Sequence, residues 1–146
     1  MTTNGARIPV AVLADDLIWA SRLVAAVERA ECHPVRVAAR SGADAFVADL
    51  GGQEIGALLI DLGGRSYDGV AVIEAAHAAG ITVLAVGQHE DRDLRTRARA
   101  AGAHRVHAYG TFFTEGPRLL RAWLGAAEVL VPGQDPAAEP ETTRAR

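Results

Sequence analysis

Acidic residues directly follow two apolar runs in this chain. Asp15 and Asp16 come after Val10–Ala14, and Asp61 comes after Ala57–Ile60. Apolar runs of this length are typical of strands that are buried on both faces of a parallel sheet. The carboxyl ends of such strands form the edge at which open α/β folds bind ligands. The sequence therefore predicts that these carboxylates lie close together at that edge.

Carboxylates held in one place must reduce their mutual repulsion. Unit charges about 4 Å apart repel by about 4 kcal/mol at an effective dielectric constant of about 20. Either one carboxyl group keeps a proton with a raised pKa, or the group binds a cation, and hard oxygen ligands favour Mg²⁺. Taken singly, Asp15 or Asp16 is more simply a cap of the first helix, and Asp61 the end of a strand. For the trio together we favour a cation pocket.

Other cofactor sites fit these residues less well. The segment Ala14–Leu17 lacks the glycine-rich turn of a dinucleotide site. A flavin phosphate would meet carboxylates where it needs hydroxyls and free amides. The five histidines are scattered and Cys32 is the one cysteine, so the ligand spacing of a zinc site is missing. A single cysteine also excludes an internal disulfide and suits a reducing compartment.

The segments that must position these carboxylates alternate between strand and helix patterns. The predicted strands are Ile8–Ala14, Val35–Ala39, Ala57–Ile60, Ile81–Val86 and Arg105–Tyr109. The predicted helices are Leu17–Ala30, a second from an N-cap at Ser41, Gly69–Ala79, Asp91–Ala101, and a last one from Thr114 with Pro117 in its first turn. Five β/α units predict an α/β fold, a doubly wound five-stranded parallel sheet of order 2-1-3-4-5 as in flavodoxin-like proteins.

Length and composition are those of one globular domain. The chain has 146 residues, of which 49% are hydrophobic, and a formal net charge of −3. This charge does not favour nucleic-acid binding, and no segment resembles a signal peptide or a membrane span, so we expect a cytoplasmic location. We divide the chain into an N-terminal extension, residues 1–6, a domain, residues 7–131, and a flexible tail, residues 132–146.

The order and spacing of these segments resemble the response-regulator receiver domains of bacterial two-component systems. Val12–Asp16 is similar to the first strand of that family with its acidic pair. Asp61 lies where the family carries its phosphorylated aspartate, and the interval to Asp68-Gly69 matches the length of the loop that follows. Gly102-Ala103 resembles the Gly-Ala pair before the fifth strand.

This resemblance implies a phosphoryl-accepting site. Asp15, Asp16, Asp61 and the backbone carbonyl of Gly63 would hold Mg²⁺, and Asp61 would attack the phosphoryl group as a nucleophile. A hydroxyl after the fourth strand and a lysine after the fifth would then hold the phosphate. The implied partner is another signalling protein, a histidine kinase or a downstream target, or a second copy, bound through the face of the fourth helix, fifth strand and fifth helix.

The chain departs from the family at both of these switch positions. Gly87 stands at the hydroxyl position, Tyr109 stands at the lysine position, and the chain contains no lysine. Losing one charge-assisted hydrogen bond costs about 1.5–3 kcal/mol. Gln88, His89, the phenol of Tyr109 or an arginine could substitute, although Arg105 begins its strand and so lies at the opposite end. The favoured interpretation is that His89 is a solvated loop residue and Tyr109 packs at the sheet edge.

Surface features give weaker signals. Arginines at spacings of three and four on the fourth helix are read first as a solvated face and second as a partner or dimer contact; they are Arg92, Arg95 and Arg99. Trp19 either covers part of the acidic pocket or fills a gap against the sheet. Phe112 and Phe113 could form an exposed apolar spot for a partner.

These observations leave two functions open. We favour an atypical stand-alone receiver domain that acts as a signalling or protein-interaction module and switches without phosphorylation. The alternative is a Mg²⁺-dependent receiver with Asp61 as phosphoacceptor. We do not expect an enzyme, because no general base stands in a suitable place for phosphate hydrolysis.

Overall fold

Strands and helices alternate in the computed structural model, which describes residues 7–39 and 42–127. The strands are β1 (Pro9–Leu13), β2 (His33–Val37), β3 (Ala57–Asp61), β4 (Thr82–Gly87) and β5 (Arg105–Ala108). The helices are α1 (Leu17–Arg29), α2 (Ala43–Gly52), α3 (Gly69–Ala78), α4 (Arg92–Ala101) and α5 (Tyr109–Ala127). All strand pairs are parallel and their order is β2-β1-β3-β4-β5, which confirms the predicted topology. The extension 1–6 and the tail 132–146 lie outside the described residues, and the predicted N-cap at Ser41 is wrong, because the N-cap of α2 is Gly42.

The core lies on both faces of this sheet, as the continuous apolar runs predicted. Every residue of β1, β3 and β4 is buried. One face packs against α2, α3 and α4, and the other packs against α1 and α5. The largest buried side chain is Trp123 of α5, whose Nε1 donates a hydrogen bond of 2.9 Å to Oγ1 of the buried Thr82. No helix within the described ranges is long and apolar enough to cross a membrane.

The second strand begins earlier than the sequence pattern predicted. It spans His33–Val37 rather than Val35–Ala39 and therefore includes Pro34. Proline cannot donate a hydrogen bond to a ladder, so it is tolerated where one side of a strand stays unpaired. β2 lies at the sheet edge and pairs with β1 alone, which explains why Pro34 is accommodated.

The last helix also begins earlier than predicted. It starts at Tyr109, directly after β5, and Glu115 departs from helical geometry with φ −123° and ψ 16°. Pro117 lies just after this kink, in the first turn of the second helical segment. It has no N–H to bond the carbonyl of Phe113, so it fits a first turn and not the middle of a continuous helix. The short segment before the kink places Tyr109 and Phe113 four residues apart, on one side of the helix. This local geometry determines where the Tyr109 ring can reach.

Gly102→Ala should destabilise the fold more than Gly80→Ala. Both glycines have left-handed φ angles, +117° and +79°, so an alanine costs about 1–2 kcal/mol of strain at either position. At Gly102 an added Cβ would also lie 2.7 Å from Cβ of His77, whereas at Gly80 it would meet nothing within 4 Å. Urea unfolding of the two variants measures the difference, and equal losses would contradict the close contact with His77.

Candidate functional site

A cleft of about 630 Å³ opens at the carboxyl ends of the central strands. The structure brings the predicted metal-binding, phosphoacceptor and switch residues to this cleft, because their strands are adjacent and parallel, whereas His89 borders a different cleft. Its lining consists of Asp15, Asp16, Trp19, Asp61, Gly63, Gly64, Arg65, Gly87, Gln88, Asp91, Leu94 and Tyr109.

Asp61 is the buried carboxylate of the cleft and the last residue of β3. The residue is 3% exposed. Its Oδ1 accepts a hydrogen bond of 2.9 Å from the backbone N–H of Gly63 and a second, short one from the hydroxyl of Tyr109. Burial raises the pKa of Asp61, although both of these hydrogen bonds act in the opposite direction. Among the described residues, none donates a hydrogen bond to Oδ2.

Tyr109 was predicted to pack at the sheet edge, but it reaches into the cleft instead. Its hydroxyl can approach Asp61 because residue 63 is a glycine: a Cβ at Gly63 would lie 2.7 Å from that oxygen. Burial, together with the hydrogen bond to Asp61, raises the pKa of Tyr109, so the phenol is a neutral donor. The position where the resemblance expects a cationic lysine therefore holds an uncharged hydrogen-bond donor.

Tyr67 is a site residue that the sequence analysis missed. Its hydroxyl donates a hydrogen bond of 2.5 Å to the backbone carbonyl of Asp61. Gly64 borders the same ring so closely that an added Cβ would overlap it. Burial raises the pKa of Tyr67, which therefore also stays neutral. A single tyrosine in a loop carries no sequence signal for such a contact.

Asp15 and Asp16 also accept hydrogen bonds from protein groups. Asp15 Oδ2 accepts hydrogen bonds from the backbone N–H groups of Arg65 (2.6 Å) and Ser66 (2.7 Å), and its Oδ1 accepts one from the Ser66 hydroxyl (2.5 Å). These bonds lower the pKa of Asp15, the serine hydroxyl most of all.

Asp16 caps the first helix. It is the N-cap of α1 and accepts from the N–H groups of Ile18 and Trp19 at 2.8 and 3.0 Å. This is the simpler of the roles that the sequence left open for it. Within residues 7–39 and 42–127, no group of three histidine, cysteine, aspartate or glutamate side chains is arranged to hold a metal ion.

Gly87 leaves the end of β4 without a hydroxyl. The residue is buried, and a Cβ there would lie 3.2 Å from Cδ1 of Leu62. A serine or threonine at this position would therefore need Leu62 to shift by a few tenths of an ångström. Gln88 and His89, which follow, are exposed, as predicted for His89.

An aromatic stack covers one side of the cleft. Trp19 lies on Tyr109, with ring centroids 4.3 Å apart and planes at 14°, so of its two predicted roles it takes the one that covers the pocket. Trp19 also lies on Phe113, at 4.5 Å and 12°. The predicted exposed apolar spot is wrong, because Phe112 is fully buried and Phe113 is part of the stack.

The arginines of α4 lie beside the cleft. Arg95 donates to the carbonyls of Gln88 and His89 at 3.2 and 2.7 Å and so fixes the loop after β4. Arg92 and Arg99 are exposed and border a second, shallow cleft of about 590 Å³. Their interpretation as a partner or dimer contact stays a prediction.

Comparison with known proteins identifies relatives of the fold. No protein-family model matches this chain, and the curated proteins contain no significant match. Among solved structures, a CheY-like protein (TadZ) of Pseudomonas aeruginosa PAO1 is 23% identical over 80% of this chain and 99% of its own, with a TM-score of 0.66. A CheY-like receiver domain protein of Methanospirillum hungatei JF-1 is 15% identical over 84% and 97%, with a TM-score of 0.68.

A third similar structure contains a metal. It is the receiver domain of the sensor histidine kinase PA1611 of Pseudomonas aeruginosa PAO1, with a magnesium ion coordinated in its active-site cleft. It is 18% identical over 82% of this chain and 99% of its own, with a TM-score of 0.67. The topology of the sheet and these likenesses together establish that the chain has the receiver-domain, CheY-like fold.

Proposed function

We propose that this chain is a receiver-type signalling module that binds a partner protein without phosphorylation of Asp61. The observation that carries the proposal is the hydrogen bond from the Tyr109 hydroxyl to Asp61. It occupies the carboxylate with a neutral donor at the position where a phosphoryl-accepting site of this family needs a cation. The partner, another signalling protein, is inferred from the fold.

The charges in the cleft support this proposal. A phosphoryl group on Asp61 would add negative charge beside Asp15, Asp16 and Asp91, which also line the cleft. Arg65 is the one basic residue in the described lining. Because a phenol supplies a single neutral donor, Tyr109 cannot replace the charge-assisted hydrogen bond of a lysine, which is about twice as strong as a neutral one.

The hydrogen bonds of Asp15 support it as well. The donor types in the cleft, carboxylates and the carbonyl of Gly63, are those that Mg²⁺ prefers, but Asp15 and Asp16 already accept hydrogen bonds from protein groups. Both oxygens of Asp15 already accept hydrogen bonds, from Arg65 and Ser66, and Oδ1 of Asp16 caps α1, so these atoms could bind the ion only at the expense of those bonds. Each such bond to a charged group contributes about 1.5–3 kcal/mol, so rearrangement opposes metal binding.

Acetyl phosphate with Mg²⁺ should leave the intact protein unmodified at Asp61. We expect no phosphoryl adduct in intact-mass spectra, and no Mg²⁺-dependent change of Trp19 fluorescence on addition of beryllofluoride, because the described lining places three other aspartates and a single basic residue around the added charge. A difference spectrum against Trp19→Phe removes the signal of Trp123. An adduct that requires Mg²⁺ and disappears in Asp61→Asn would contradict the proposal.

Tyr109→Lys is the matched gain-of-function variant. It restores a cation at the same position and frees Asp61 Oδ1 from the phenol, so we expect beryllofluoride to bind this variant more tightly than the natural chain. If both proteins respond equally, Tyr109 does not determine the reactivity of Asp61.

The alternative, a Mg²⁺-dependent phosphoacceptor, has one observation in its favour. Asp61 Oδ2 accepts no hydrogen bond from a described residue, so one oxygen remains for reaction. In this case Mg²⁺ would neutralise phosphoryl oxygens beside Asp61. The acetyl phosphate experiment distinguishes the two functions directly.

A further inference from the structure

We propose that Trp19 and Phe113 are positioning residues that hold Tyr109 on Asp61, so that the surface of α1 is energetically coupled to the carboxylate in the cleft. The inference rests on the proposed function, since it treats the Asp61–Tyr109 hydrogen bond as the state that a partner reads. It connects that state with the α1–α5 side of the domain. The resemblance implied a different face, formed by α4, β5 and α5.

The geometry of the rings carries this inference. Trp19 contacts Tyr109 and Phe113 of α5, and these two rings are themselves nearly parallel, at 8° and 6.2 Å between centroids. An aromatic side chain has only two rotatable bonds, so the position of its ring fixes that of its hydroxyl. Tyr109 therefore cannot withdraw its hydroxyl from Asp61 by more than a small distance without leaving the Trp19 ring.

The Tyr109 hydroxyl, at the end of the stack next to Asp61, has little room to move. The Tyr109 hydroxyl lies beside Gly63 and bonds the same Asp61 oxygen as the N–H of that glycine. Because Asp61 is buried at the end of β3, its carboxylate is a fixed partner. A displacement of Trp19 is thus transmitted to the hydrogen bond itself.

Arg22 connects the stack with the surface. It lies one turn after Trp19 on α1 and is exposed, with its guanidinium carbon 5.5 Å from the Trp19 ring centroid and 5.3 Å from that of Phe113. No salt bridge within the described ranges engages Arg22. A partner that draws this guanidinium away would loosen the stack, and by linkage the state of Asp61 would change the affinity for that partner equally.

The carboxyl resonance of Asp61 tests the coupling. In protein labelled with ¹³C at the aspartate carboxyl groups, this resonance is identified by its absence in Asp61→Asn, and Tyr109→Phe gives its position when the hydrogen bond is lost. We expect Trp19→Leu to shift the resonance in the same direction as Tyr109→Phe. We expect Trp19→Phe, which keeps a ring, to restore most of the original position.

Matched controls lie on the same helix. Val24→Ala removes a half-buried α1 side chain outside the stack and should leave the Asp61 resonance in place. Arg22→Gln should shift it, whereas Arg29→Gln, an exposed arginine two turns further along α1, should not. If Trp19→Leu fails to fold, as circular dichroism would reveal, Phe113→Leu replaces it.

An unchanged resonance in Trp19→Leu, or an equal shift in Val24→Ala, would overturn the coupling. That failure is distinguishable from failure of the proposed function. A phosphoryl adduct on Asp61 would overturn the proposed function whatever the resonance does, whereas an unshifted resonance leaves the result with acetyl phosphate as it was.

Discussion

Asp61→Asn should increase the free energy of unfolding at neutral pH, because it removes a charge that burial disfavours. Asparagine has the shape of aspartate and keeps a carbonyl oxygen for the Tyr109 hydroxyl and the Gly63 N–H. It carries no charge, so the desolvation that raises the pKa of Asp61 no longer opposes folding. Urea unfolding at pH 7 in the presence of a chelator measures the gain.

The pH dependence of this gain follows from the sign of the shift. The pKa of Asp61 is raised above its ordinary value of 3.8, so the folded chain binds this proton more tightly than the unfolded chain. The natural protein therefore loses stability as pH rises from about 3.8 through the raised pKa, and the penalty is complete above it. The difference between Asp61→Asn and the natural chain should vanish at low pH.

Asp15→Asn is the matched control with the opposite sign. Hydrogen bonds from Ser66 and Arg65 lower the pKa of Asp15, so its charged form is stabilised by folding. We expect this substitution to decrease stability at neutral pH, and the decrease to disappear as pH falls through the lowered pKa. A loss of stability in both variants would indicate that hydrogen bonding, rather than desolvation, dominates at Asp61.

Trp123→Ala should decrease the free energy of unfolding by about 3–5 kcal/mol. Trp123 is 1% exposed and packs with α1 and β4 residues on one face of the sheet. Its removal leaves a large cavity and also deprives the buried Thr82 hydroxyl of the Nε1 donor. Thermal or urea unfolding measures the loss.

Two substitutions separate the contributions at Trp123. Trp123→Phe retains most of the volume but not the N–H, so it should cost less than Trp123→Ala. In the Trp123→Phe background, Thr82→Val should cost less than it does in the natural chain, because the hydrogen bond has already been lost. A cost below about 2 kcal/mol for Trp123→Ala would contradict the tight packing inferred here.

Local sequence patterns were sufficient to predict the fold. Unbroken apolar runs mark the central strands because a strand covered by helices on both faces has no solvent side, and glycines such as Gly80 and Gly102 mark helix ends because only glycine adopts their φ angles freely. Element bounds were less accurate where a competing rule intervened. The second strand was predicted to begin at Val35, but it begins at His33, because Pro34 is tolerated at the edge of the sheet.

The sequence by itself thus determined the parallel sheet, the placement of Asp15, Asp16 and Asp61 at one edge, and the absence of a lysine and of a hydroxyl at residue 87. Only the tertiary structure decided which donors those carboxylates meet. Tyr109 lies 48 residues from Asp61, and Ser66 lies 51 residues from Asp15. Such contacts depend on side-chain rotamers, and the position of Tyr109 depends also on the ring of Trp19. Neither the rotamers nor the ring contact leaves a periodic pattern in the sequence.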